Sequence, residues 1–388
     1  MTGSGRRIPA WVLSGLCFCL ISHEVALAQL STSDHLADPG FWPTRNDASR
    51  DQYTGDGACT ACHPIIAASQ KNTSMRKTTV PAGTADLLHT HPSLHFAFGP
   101  YRYSIKTDAK GSTYSVTDGK RTQTSTLLWT FGTGRVGQSY LFKKDNGKYY
   151  EARVTYFHTL HTLGFTPDRA LTSAKGIEEA MNREVDSAEV ARCFACHTTA
   201  SAVEGQVDEK NLIPGVTCEA CHGPGAKHVS AMKLAKITGS FDEDEATIFN
   251  AARLNPTDSV DFCGACHSTW WDVKLASIRG VSNVKAQPYR LEGSKCWGKG
   301  DARLTCIACH NPHEEVRSDP ASYDKVCLSC HVNSAAVKMT AELPGPACHV
   351  GQKDCVTCHM PKVFVPEMHF NFTDHRIRIA RAGAPYPD

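Results

Sequence analysis

Beyond position 28 the sequence has no apolar run long enough to cross a bilayer, which takes about 20 residues. Charge of one sign is missing too: 41 Lys+Arg stand against 39 Asp+Glu, a formal net charge of +2 at pH 7. No basic stripe with interleaved aromatics occurs, which argues against nucleic acid as a partner. A phosphate-binding loop is also lacking. Gly132, Gly134 and Gly137 cluster, but no Lys-Ser/Thr pair follows and no helical pattern opens there, so they are expected in a turn or bulge.

Cysteine, by contrast, is abundant at 18 residues, and most of it is arranged in one pattern. C-x-x-C-H occurs seven times: Cys59-Cys62-His63, Cys193-Cys196-His197, Cys218-Cys221-His222, Cys263-Cys266-His267, Cys306-Cys309-His310, Cys327-Cys330-His331 and Cys355-Cys358-His359. This spacing reads as c-type haem attachment. Two thiols form thioethers to the haem vinyl groups, and the adjacent histidine ligates the iron. Seven covalently attached haems c are therefore expected. Zinc sites do not require a histidine after every pair. A thioredoxin-type site needs one motif in a β-α-β context, and a disulfide framework has no use for a trailing histidine. Cys296 and Cys348 are left over, as a possible disulfide pair.

The start of the chain reads as a cleaved export signal. Arg6 and Arg7 precede an apolar run from Trp11 to Ile21, and Ala26-Leu27-Ala28 supplies a small-x-small cleavage site. The expected location is periplasmic or extracellular, with no transmembrane anchor. Each haem would add two propionates, so the loaded protein is expected to be acidic.

Four regions follow: a signal peptide over 1–28, an arm with the first haem site over 29–95, an antiparallel β module over 96–170, and a six-haem domain over 171–388. In the β module Tyr101, Tyr103 and Ile105 alternate with polar residues, as do Tyr114 and Val116, and Asp145-Asn146-Gly147 is a hairpin signal. Ile65 to Met75 reads as a short helix behind the first motif. From Cys193 to His359 too little chain accompanies each haem to build an ordinary side-chain core. Short helices and irregular loops packed around haems are expected there, folding with the cofactor.

Each iron needs a sixth ligand or an open site. Eleven histidines remain outside the motifs and the signal peptide. His228, His313, His349, His369 and His375 are the leading candidates. One of His89, His91 and His95 could join them, His158 and His161 are weaker, and Met75 is a candidate for the first haem. His313 is too close to His310 to reach across that ring, so it would serve a neighbouring haem. His/Met ligation would raise the potential relative to bis-histidine.

The segment Gly215-Val216-Thr217-Cys218-Glu219-Ala220-Cys221-His222-Gly223-Pro224-Gly225-Ala226-Lys227-His228, the C-H-N-P-H at 309–313, and the C-H-M-P at 358–361 followed by Asp374-His375 carry a family resemblance. The chain from Cys193 onward resembles the multihaem cytochromes c related to the tetrahaem cytochrome c-554 of ammonia oxidisers. That resemblance implies a multihaem cytochrome c fold, closely packed haems, electron transfer, and ligation by His228 and His313. Many relatives carry Ser-His after the first haem helix, where this chain has Ser74-Met75.

Two functions are open at this point. The first is an electron relay between redox proteins, or from a quinol-oxidising complex, at a transient interface, with an oligomer or filament as a further option. The second is an oxidoreductase acting on a small nitrogen or sulfur compound at one five-coordinate haem, with Arg76, Lys77 and His95 as lining. Pentahaem nitrite reductases typically carry C-x-x-C-K, which is absent here, and no tyrosine is assignable to a hydroxylamine-oxidising site.

Overall fold

The computed structural model describes residues 48–167, 174–203, 206–240, 248–297, 304–331, 348, 350–379, 381 and 386. The expected signal peptide, residues 29–47 of the arm, and His349 lie outside them. Among the described residues no helix is long and apolar enough to cross a membrane.

The part without haem motifs is built from antiparallel strands. A four-stranded meander runs Ser93–Phe98, Tyr101–Asp108, Gly111–Thr117, Thr122–Thr126. Its alternation puts Tyr103, Ile105, Tyr114 and Val116 on the buried face. The second sheet has seven strands. Thr79–Pro81, Trp129–Phe131, Gly137–Lys143, Tyr149–Ala152 and Asn182–Val185 lie in that order, and Val154–Phe157 joins both Gly137–Lys143 and Thr162–Phe165. Sheet pairing thus reaches back to 79 and forward to 185, beyond the 96–170 read from the sequence. The outlying strands are three and four residues long, too short to show an alternating pattern.

The hairpin around Asn146-Gly147 is present. Lys143 pairs with Tyr149, Gly147 takes φ +76°, and the Lys148 amide donates to Asn146 Oδ1 at 3.0 Å. Gly134 sits in the turn between two strands at φ +84°, and a Cβ there would lie 2.1 Å from the Leu87 side chain. Glycine is favoured at that position by the positive φ, and a side chain there would also have to displace the Leu87 methyl.

The sheets enclose one side-chain core, which includes Leu88, Ile105, Tyr114, Phe142, Val154 and Leu163. A smaller cluster of Leu141, Val185, Val190, Phe194 and Leu212 fastens the second haem motif's helix to the seven-stranded sheet. Farther along the chain the described core shrinks to Val260, Leu291 and Trp297. The remainder is short helices and loops.

Candidate haem sites

Each described motif lies in or beside one or a few turns of helix. The helices are Asp56–Thr60, Ser187–His197, Cys218–His222, Pro256–His267, Cys306–Cys309, Asp324–Leu328 and Cys355–His359. The reason is geometric. Residues three and four apart share a helix face, so one turn aims both thiols and the histidine the same way. Local caps fix two of these helices: Asp186 accepts from the Glu189 amide at 2.8 Å, and Asn255 accepts from the Asp258 amide at 2.9 Å, with Pro256 at the first helical position.

Several motif histidines are oriented through Nδ1. His222 Nδ1 donates to the Phe249 carbonyl at 2.7 Å, and His359 Nδ1 donates to the Arg378 carbonyl at 2.7 Å. His197 Nδ1 lies 2.7 Å from Thr78 Oγ1. Fixing Nδ1 in this way selects the tautomer whose Nε2 lone pair can bind a metal. Burial pushes His197 down to about 4 and also lowers His267, His310 and His313. These imidazoles are neutral at pH 7, as a metal ligand must be.

Two histidines from outside the motifs face motif histidines. The His222 and His313 rings are parallel within 4°, with centroids 6.0 Å apart. The His310 and His375 rings are 6.2 Å apart at 42°. Such spacings fall at the wide end of ordinary ring contacts. An iron held by Nε2 of both rings would set their centres roughly 6 Å apart, given metal–nitrogen bonds of ~2.0 Å on each side. The residues therefore fit a bis-histidine haem at these two places. His375 Nδ1 donates to the Thr373 carbonyl at 3.1 Å, and burial pushes its pKa down to about 4.

A buried ion pair holds the His375 segment. Arg290 is 1% exposed and Asp374 0%. Arg290 Nε and Nη2 donate to the two Asp374 carboxylate oxygens at 2.9 and 3.0 Å. The guanidinium also lies 4.5 Å from the Tyr386 ring centre. The Ile377 amide donates to Ser294 Oγ at 2.8 Å, and Arg376 Nε donates to the Gly293 carbonyl at 3.1 Å. Sequence reading missed this strap, because Arg290 is 84 residues from Asp374.

The other candidates sit in different surroundings. His228 lies in the first turn of the helix Ala226–Thr238, which packs near Arg50–Gln52, just ahead of the first motif. The His369 ring meets the edge of Phe157 at 4.8 Å, against the β module. Met75 does not continue the helix behind the first motif. That helix is Pro64–Gln70; Asn72 and Thr73 then hydrogen-bond locally, as when Thr73 Oγ1 donates to the Gln70 carbonyl at 2.8 Å, while the Ser74 amide donates to Glu315 Oε2 at 2.6 Å. The Met75 carbonyl instead accepts the Val216 amide at 3.1 Å, next to the third motif. His89 Nε2 bonds the Gly83 carbonyl at 2.9 Å, and His95 Nε2 lies 2.8 Å from Ser93 Oγ. His91, His158 and His161 line a cleft of about 360 Å³ on the β module, together with Arg135.

Two buried carboxylates tie motifs to one another. Glu219, inside the third motif, accepts from the Thr54, Gly55 and Gly225 amides, each at 2.8 Å. Asp324, at the start of the sixth motif's helix, accepts from the Asp354 and Cys355 amides at 2.8 and 3.0 Å. Those two amides, Cys355 first, hold the Asp324 carboxyl below its ordinary pKa.

A family model described as "Cytochrome c554 and c-prime" matches residues 155–223, a stretch that contains the second and third motifs. A curated protein named "Multiheme cytochrome MtrA", from Shewanella baltica, is 24% identical over 190 residues, covering 39% of this chain and 55% of that one. The chain thus spans about half the length of the curated relative it matches. A solved structure titled "Crystal Structure of Outer Cell Wall Cytochrome OcwA" aligns with a TM-score of 0.46 at 14% identity, covering 84% of this chain and 80% of that one. That overlap is too loose to carry an argument. The family match and the curated relative, on top of the repeated motif, support a multihaem c-type cytochrome.

Proposed function

We propose that this chain is an exported seven-haem c-type cytochrome that relays electrons between redox partners. The observation that carries the reading is the presence of seven C-x-x-C-H sites, two of which have a second histidine whose ring centre lies 6.0 or 6.2 Å from that of the motif histidine. Bound haem iron supplies one-electron chemistry, with a potential set by axial ligands and burial.

The chain's own residues do the rest. Fourteen motif cysteines attach the haems. His63, His197, His222, His267, His310, His331 and His359 serve as proximal ligands. His313 opposes His222, and His375 opposes His310. His228 is assigned to the first site, because its helix packs near Arg50–Gln52, ahead of the first motif. The β module acts as a scaffold on which the second motif's helix is fastened. Partners are redox proteins at a weak, transient interface, or a quinol-oxidising complex, in the periplasm or outside the cell.

Intact mass and low-temperature electron paramagnetic resonance of the oxidised, purified protein test the reading. A mass seven haems above that of the polypeptide, with every ferric haem low-spin, is the expected result. A mass short of seven would overturn the seven-site reading. A stoichiometric high-spin signal that shifts with nitrite or hydroxylamine would replace the relay by an oxidoreductase.

A further inference from the structure

The order of the motifs along the chain differs from their order in space. A haem is bonded directly to its two motif sulfurs, so motif helices that pack on one another bring their macrocycles together. The helices Asp56–Thr60 and Cys218–His222 pack together, and Glu219 accepts from the Thr54 and Gly55 amides at 2.8 Å. Pro256–His267 packs on Cys306–Cys309. Asp324–Leu328 packs on Cys355–His359, where Asp324 accepts from the Asp354 and Cys355 amides at 2.8 and 3.0 Å.

These pairs are joined to one another. The carbonyl that fixes His222 belongs to Phe249, whose ring lies 5.2 Å from Phe262, the residue before Cys263. The His310 ring lies 5.6 Å from Tyr323, which caps the sixth motif's helix. The second motif stands to one side. Cys196 Sγ makes a 3.4 Å contact with the carbonyl of Ala265, which lies inside the fourth motif.

We infer that the seven attachment sites form a branched line, ordered first, third, fourth, fifth, sixth, seventh, with the second joined laterally to the fourth. This rests on the haem-relay reading and deepens it. A relay so arranged has three ends, at the first, second and seventh sites, and the fourth is the junction through which any two ends communicate. The third end gives the molecule an exchange point that a linear wire lacks.

A crystal or cryo-electron-microscopy structure of the haem-loaded protein, taken from a sample of measured intact mass, tests the order. With seven haems present, the iron of the fourth site is expected to have three near neighbours, those of the second, third and fifth. The second is expected to have the fourth as its nearest. A second iron lying nearest any other site, or a break between the fifth and sixth, would overturn the branched line while leaving the relay standing. A mass short of seven haems would overturn the seven-site reading and the branch with it.

Discussion

Replacing Arg290 with methionine separates a structural role from an electronic one. In the native protein the guanidinium is 1% exposed and bonds both oxygens of a carboxylate that is itself fully buried. Methionine removes the charge and keeps much of the volume, leaving Asp374 unpaired. Breaking a buried pair by removing one partner costs about 3–5 kcal/mol, because the stranded charge keeps its desolvation penalty. Asp374 precedes His375, and its Oδ1 also accepts the Arg376 amide at 2.9 Å. The strain therefore falls on the segment that presents His375 to His310. The expected outcome is a fall in the thermal midpoint, with one haem equivalent moving from low-spin to high-spin in the resonance spectrum. Arg290→Met combined with Asp374→Leu removes both charges and should recover a large part of the loss. Arg121→Met is the control. Arg121 is 60% exposed and pairs with Glu178 on the surface, where such a pair is worth about 0–1 kcal/mol. If Arg290→Met matches the control in midpoint and keeps every haem low-spin, the reasoning fails.

Three further perturbations address other parts of the molecule. Burial, reinforced by Asp261, pushes the Glu292 carboxyl up to about 7, and its Oε1 has no hydrogen-bond partner among the described residues. The folded state then binds more protons than the unfolded state between pH 4.5 and 7, so this group's contribution falls as pH rises through that window, by on the order of 3 kcal/mol in all. Glu292→Gln should accordingly be more stable than the parent at pH 8 and little changed near pH 4.5, measured by denaturation at both; equal gains at the two pH values would refute the assignment. Glu219→Gln sets an amide NH₂ against backbone donors that now face a carboxylate, and should cost about 1.5–3 kcal/mol. Limited proteolysis should then cut first within 48–70, and an unchanged pattern would count against the clamp. Ile105→Ala opens a hole in the β core at a cost of about 2–5 kcal/mol, yet intact mass should still report seven haems, because the thioethers need only local motifs.

Much of the site was legible because it is local. C-x-x-C-H is read off one helical turn, and Asp145-Asn146-Gly147 names its own hairpin. The pairing of His313 with His222 and of His375 with His310 was not legible, because it is set by how separate motifs pack. His313 was read as serving a neighbour, but which neighbour depends on contacts between residues 91 positions apart in number. Thr79–Pro81 and Asn182–Val185 escaped notice for a different reason. Each is recruited by a longer strand already in the sheet, so its strand character is conferred by its partner. The Arg290–Asp374 pair has no sequence pattern at all; only the fold makes it a pair.

The Glu219 clamp bears on the timetable of assembly. Its carboxylate grips amides 164 and 165 positions nearer the N-terminus. In the proposed export, N-terminus first, the residue that locks the first motif in place follows it across the membrane. Asp324 does the reverse, waiting for Cys355, 31 positions downstream. On that proposal the first motif is seated only after Glu219 has followed it. Losing the Glu219 carboxylate would leave all the thioethers intact and the first motif unseated, a defect that counting haems by mass does not reveal.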